Sequence, residues 1–309
     1  MMRGVSTWAV AVRKPTAEQF EEGELNPVEG AHGEIEVVSE SLVSYSKTHR
    51  WARLPLARGV VALVESMKLG FKALGISANA QVPPDEQGDT KEIGGGAWAG
   101  TVAFAMVFAI GLFFLLPAGL TNLFRDSIPN GVLFVVIEKL VRISIFLVYI
   151  GLISRLRDLQ RVFEYHGAEH KTISCYEAGL ELTPENAQGF SRLHPRCGTS
   201  FLLIVMIVAI FVFAPFGKLE WQWLFASRII GIPLVAGIAF EVIKWFGRNR
   251  AKRWAQILMW PGLQLQLLTT REPDLSQLEV AIAALDAVLA AEDPADVTES
   301  QRTLMEVGA

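Results

Sequence analysis

The sequence predicts a mainly α membrane protein with about four transmembrane helices. An interfacial amphipathic helix, a small N-terminal β element and a C-terminal cytoplasmic helix complete the expected architecture. Two uncharged runs carry this reading: Ile93–Phe124, 32 residues, and Cys197–Gly217, 21 residues. About 20 apolar residues cross the hydrocarbon core of a bilayer, so each run is long enough to span. The composition agrees: 51% of residues are hydrophobic, 19% are charged, and Phe and Trp (18 and 8) far outnumber Tyr (4). A net charge of −4 gives no reason to expect nucleic acid as a partner, and the lipid bilayer is the partner implied.

Residues 1–54 read as a cytoplasmic β-containing segment. "STWAVAVR" (6–13) and "EIEVVSESLV" (34–43) suit short strands, with an acidic Glu/Gly/Pro-rich loop between them. "MMRGVSTWAVAVRKP" lacks an apolar stretch of signal-peptide length, so no signal peptide is expected. Residues 55–78 form the amphipathic helix. Val60, Leu63, Met67, Leu69, Phe71 and Leu74 fall loosely at helical spacing, and Glu65, Lys68 and Lys72 lie near one face. Such a helix suits the membrane surface or the side of the bundle better than a crossing. Residues 79–95 are a polar, Pro-containing linker.

The spans are expected at about 97–120, 130–154, 198–216 and 222–245, grouped as 96–154 and 198–246 around a 155–197 loop. Arg125 alone lies in the 121–130 link and Lys218 alone in 217–221, whereas 155–197 holds Arg155, Arg157, Arg161, Lys171, Arg192 and Arg196. Arg248, Arg250, Lys252 and Arg253 follow the fourth span. The positive-inside rule then places both termini and the 155–197 loop in the cytoplasm.

Glu138, Arg142, Arg228 and Glu241 are intramembrane ionisable residues, of a kind that normally faces the bundle interior and pairs. Glu138 precedes Arg142 by four, which suits a pair on one helix face, and Glu138 and Arg228 fall at similar depth. A polar pathway is the functional reading and a buried ion-pair network the simpler one. Residues 247–293 form a cytoplasmic segment whose helix, 274–292, presents Leu278, Val280, Ile282, Leu285 and Leu289 behind the acidic "EPD" turn. The acidic tail, 294–309, is expected to be disordered.

The chemistry concentrates in "EYHGAEHKTISCYE", residues 164–177, in a chain with five histidines and two cysteines. His166 and His170 are four apart and share a helix face. His194 and Cys197, three apart, suit a tight turn or helix start. H-x3-H followed by H-x2-C offers four borderline-soft ligands of the kinds zinc prefers, so a divalent transition metal, Zn²⁺ above all, is the expected cofactor. "HGAEH" also fits H-x-x-E-H, the inverted zincin motif, in which Glu169 would be the general base. The third, acidic ligand of those enzymes has no convincing equivalent, which weighs against peptidase activity more than against metal binding. Cys175 and Glu177 are alternative ligands, and a reducing cytoplasm keeps both cysteines as thiols. Lys171 could polarise a substrate carbonyl or phosphate, or more simply face solvent; Arg196 is read the same way.

"YHGAEHKTISCYEAG", "HPRCGTSFLL", "LARGVVALVESMKLGFKAL" and "PGLQLQLLTTREPDLSQLEVAIAAL", with "MMRG…AVAVRKP" at the start, resemble the signature segments of the YqhQ-like family. These are bacterial membrane proteins of unknown function that have been described as predicted metal-dependent enzymes. The resemblance covers nearly the whole chain and implies a multi-pass protein of the bacterial inner (plasma) membrane. Relatives carry a Gly-rich segment ahead of the "MMRG" match, so a short N-terminal extension is expected. The expected function is a membrane-embedded metal-dependent enzyme of hydrolase type. A scaffold or assembly factor with a structural metal, and a transporter using the intramembrane charges, are the alternatives.

Overall fold

The computed structural model describes residues 1–15, 33–82, 94–194, 197–216, 221–249 and 252–292. The expected acidic loop, most of the 79–95 linker, Arg196 and the tail lie outside the described residues, as does the side chain of Arg228.

Strands β1 (Met2–Arg3), β2 (Thr7–Arg13) and β3 (Ile35–Ser41) form an antiparallel sheet in that order, followed by a short helix, α1 (Tyr45–Thr48). Strand β2 is central and pairs Val10 with Val38 and Ala9 with Met2. Its side chains alternate between two covered faces. Trp8, Val10 and Val12 pack on Leu69, Ala73 and Ile76 of α2 (Ala57–Asn79). Ala9 packs with Met2 on Leu278, Ala281 and Leu285 of α10 (Leu275–Ala291). The strand is thus buried on both sides, by α2 on one and α10 on the other.

Helix α2 begins where the chain turns at Leu56, a non-glycine residue with φ of 70°, in the left-handed region. Close approach to α8 (Trp221–Arg248) holds that turn: a Cβ on Gly237 would lie 2.7 Å from the Leu56 carbonyl oxygen. A Cβ on Gly59 would lie 2.6 Å from Cβ of Phe240, so the two glycines set the crossing. Arg58 bonds Glu241 bidentately across it, with Nε donating at 2.5 Å.

The apolar part contains α3 (Gly95–Asn122), α4 (Gly131–Ile153), α7 (Gly198–Phe213, extended by a 3-10 turn to Phe216) and α8. Helix α3 carries a π turn at Gly111–Leu115 and touches α4 through Phe113, 5.3 Å from the Tyr149 ring. Val135 of α4, Val208 and Phe213 of α7, and Val235 and Ala239 of α8 form one core cluster. Two helical stretches are long and apolar enough to cross a membrane, Gly95–Asn122 and Ile229–Phe246; Phe201–Phe216 is apolar but shorter. Glu138 bonds both Lys139, at 2.6 Å, and Arg142, so the expected pair one turn apart is present with a second cation added.

The 155–197 connection is largely helical, with α5 (Arg157–Glu177) and α6 (Pro184–Gln188). Helix α5 buries Ala168, Lys171, Thr172 and Cys175, a helix-spaced stripe facing α10. It ends in a Schellman motif: Gly179, at φ of +70°, donates to Tyr176, and Leu180 donates to Cys175. Asp274 and Gln277 make a capping box at the start of α10, a device worth about 1 kcal/mol. A further helix, α9 (Arg253–Thr269), fills a stretch for which no element is expected. It runs through Pro261 because its buried side, Ala255, Gly262, Leu265, Gln266 and Thr269, packs in the interior.

Candidate metal centre

The helical spacing of His166 and His170 on α5 puts their rings 4.5 Å apart between centroids. Each ring is then fixed from behind by a main-chain carbonyl. Nδ1 of His166 lies 2.8 Å from the Thr269 oxygen at the end of α9. Nδ1 of His170 lies 2.6 Å from the Arg192 oxygen in the link before α7. A carbonyl only accepts, so both Nδ1 atoms carry a proton, and Nε2 is the nitrogen of each ring left to bond the thiol or, once deprotonated, to ligate an ion. His166 Nε2 is 3.2 Å from Sγ of Cys197. One ligand atom each from His166, His170 and Cys197 lie within 4.8 Å of one another. Tetrahedral zinc separates a nitrogen and a sulfur ligand by about 3.5 Å, so little movement would seat an ion. Carbonyl-oriented imidazoles of this kind are the usual outer-shell arrangement of histidine metal sites.

Helix α9 organises the rest. Gln266, fully buried, clamps the His194 main chain, accepting from its N–H at 2.9 Å and donating to its carbonyl at 2.8 Å. The Cys197 N–H donates to the His194 carbonyl, closing the turn that the i, i+3 spacing predicts. Arg192 donates to the Thr270 carbonyl at 3.0 Å. The glycine of "HGAEH" is explained by the same neighbour. A Cβ on Gly167 would lie 2.1 Å from the Arg271 oxygen, where the chain leaving α9 crosses α5. The Arg271 N–H donates to the Phe163 carbonyl at that crossing.

The thiol and imidazole form a charged pair in the metal-free protein. Burial opposes ionisation of Cys197, but hydrogen bonds and charge from His166 and His170 outweigh it and lower its pKa to about 5. Burial also opposes protonation of His166. The Cys197 bond and charge, then Glu169 and the Thr269 carbonyl, raise its pKa to about 9. Thiolate is the form that binds metal.

The other candidates fall around this trio. His194 is buried, its ring 5.8 Å from that of His170, but its Nε2 faces Glu177 at 3.8 Å and stands outside the three-atom group. Glu177 is therefore beside His194. Cys175 is not with the ligands: its thiol, pushed up by burial, donates to the Glu181 carbonyl at 3.6 Å. Lys171 does not face solvent. It is buried, donating to the Gln188 carbonyl at 2.8 Å and pairing with Glu272, because α6 and the chain after α9 close over it. Glu169, three residues from His166, meets the main-chain nitrogen of Met1. Glu241 and Arg142 lie in the apolar bundle, paired with Arg58 and Glu138.

The model of the DUF1385 family, described as protein of unknown function, matches residues 54–291, which include α2 to α10 and every residue of the centre. The chain is also 37% identical over 249 residues, 77% of each protein, to the uncharacterized protein YqhQ of Bacillus subtilis (strain 168). No solved structure matches. The chain carrying this histidine–cysteine cluster is thus similar to YqhQ and belongs to the DUF1385 family of unknown function.

Proposed function

We propose that the protein is a multi-pass membrane metal-dependent enzyme of hydrolase type, with its centre at the cytoplasmic face of the inner membrane. The observation that carries the reading is the pair of carbonyl-bound Nδ1 groups, which leaves His166 and His170 Nε2 turned toward Cys197. Three protein ligands leave a vertex for water or substrate, the arrangement of catalytic zinc sites. An ion there supplies Lewis acidity toward water and a carbonyl or phosphoryl oxygen. Glu169, beside His166 and outside the trio, is suited to accept a proton. The two helical stretches long and apolar enough to cross a membrane, Gly95–Asn122 and Ile229–Phe246, support the membrane part, and helices α4 and α7 lie in the other two expected segments.

A second reading has its own observation. His194 is buried within a ring's width of His170, and turning it from Glu177 would supply a fourth ligand. The metal would then pin the link to the bundle.

Elemental analysis of the purified full-length protein tests both, with about one transition metal per chain expected. Protein without such a metal, even after zinc reconstitution, would sink both readings. Glu169→Gln separates them: a catalytic base predicts unchanged metal and a loss of function by about 10²–10⁴-fold. A structural metal predicts a mild effect there and unfolding with His170→Ala.

A further inference from the structure

Helix α9 has two unlike sides. One holds the centre, through Gln266 on His194 and the Thr269 carbonyl on His166. The other exposes Ile257, Trp260, Leu267 and Leu268, with Ile257 70% and Trp260 59% accessible, and Trp254 and Leu258 add exposed apolar surface near the helix start. Large apolar side chains exposed together mark a surface that something covers.

Three observations identify the bilayer as that cover. First, Trp254 stacks on Trp245 in the last turns of α8 at 4.6 Å, and Gln266 meets the link just before α7. Both ends of α9 are therefore anchored at the cytoplasmic ends of the proposed spans, so the helix lies across them. Second, Arg248, Lys252 and Arg253 are exposed at its start, complementary to anionic headgroups. Third, exposed apolar side chains flank the centre. Val162, one turn before His166, and Leu202, five residues after Cys197, are both exposed. Cys197 immediately precedes Gly198, the first residue of the apolar helix α7.

We infer that α9 is an interfacial helix seated in the cytoplasmic leaflet and that the centre takes an amphiphile from that leaflet. The substrate's polar group reaches the ligands at headgroup depth while its alkyl chain stays among the lipids. This inference rests on the metal-centre reading above. Interfacial helices bind by apolar burial combined with attraction of basic residues to anionic lipids, and α9 provides both.

The test uses full-length protein in nanodiscs containing phosphatidylglycerol, reconstituted with Co²⁺. Two hydroxamates of matched head and different tail, acetohydroxamate and dodecanoyl hydroxamate, are titrated while the cobalt d–d bands are followed. The long-chain compound is expected to act at total concentrations about tenfold or more below the short one. Ile257→Gln with Leu258→Gln should narrow that gap without changing cobalt content. Equal potency, or a weaker long-chain compound, overturns the inference while leaving the metal centre intact. Absence of a thiolate-to-cobalt band overturns the centre itself and this inference with it. If the double variant instead converts an oligomer to a monomer, the face is a protein interface and the inference falls.

Discussion

His166 faces Cys197 and Thr269 with its two nitrogens, 3.2 Å from the thiol sulfur and 2.8 Å from the carbonyl oxygen. One ring thus joins α5, the turn before α7 and the end of α9. Its hydrogen bonds fix which nitrogen is available, and the predictions below follow from that junction and its supports.

The thiolate–imidazolium pair gives the metal-free protein a defined pH window. Cys197 is lowered from 9.0 to about 5, so its ionisation stabilises the fold at neutral pH, and that stabilisation is lost as pH falls through about 5. His166 is raised from 6.5 to about 9, so its stabilisation is complete below 6.5 and is lost as pH rises through about 9. Heat resistance measured without added metal should therefore rise between about pH 5 and 6.5 and then stay level, because above 6.5 the fading His166 contribution is matched by a Cys197 contribution that grows up to 9.0, and Cys197→Ser should flatten the profile. The difference in ultraviolet thiolate absorbance between wild type and Cys197→Ser checks the cause. A midpoint near the ordinary thiol value would refute the pair.

Gln266→Leu removes both hydrogen bonds to the His194 main chain. Leaving the buried His194 N–H without its acceptor, and its carbonyl with only the Cys197 N–H, should cost about 1–3 kcal/mol. Metal affinity should fall about 10-fold or more, as for other outer-shell supports. Thermal melts and competition with a chromophoric chelator measure the two effects. Unchanged affinity would mean that the link does not depend on the clamp.

Gly167→Ala places a methyl group against the Arg271 oxygen, which has no flexible end to move aside. A loss of about 1–3 kcal/mol is expected, with metal binding impaired because Thr269 shifts with Arg271. Gly179→Ala is the contrast: it strains the left-handed position of the Schellman turn by about 1 kcal/mol and should leave metal content alone. Equal metal content in both variants would count against the close approach as the reason for Gly167.

Glu138 bonds both Lys139 and Arg142. Glu138→Gln removes the carboxylate from buried Lys139 and half-buried Arg142 and should destabilise by about 3–5 kcal/mol, read as lost membrane-fraction yield and a lower apparent Tm in detergent. Adding Lys139→Met should restore part of the loss. A single variant that is stable yet inactive would favour a polar pathway over a structural network.

The sequence by itself determined the local pieces. Alternation marked β2, apolar faces marked α2 and α10, and uncharged runs marked two of the apolar helices. The four-residue spacing of His166 and His170 required only a helix to put both rings on one face. These are short-range regularities, set by backbone periodicity. Tertiary structure decided which further residue joins them. His194, Cys197, Cys175 and Glu177 are chemically comparable, and spacing could not rank them. The ranking comes from carbonyls far along the chain: Thr269 is 103 residues from His166, and Arg192 is 22 from His170. It comes equally from α9, a helix held by its buried side. Carbonyls lack a side-chain signature, so their role in orienting a ring emerges only once the chain has folded.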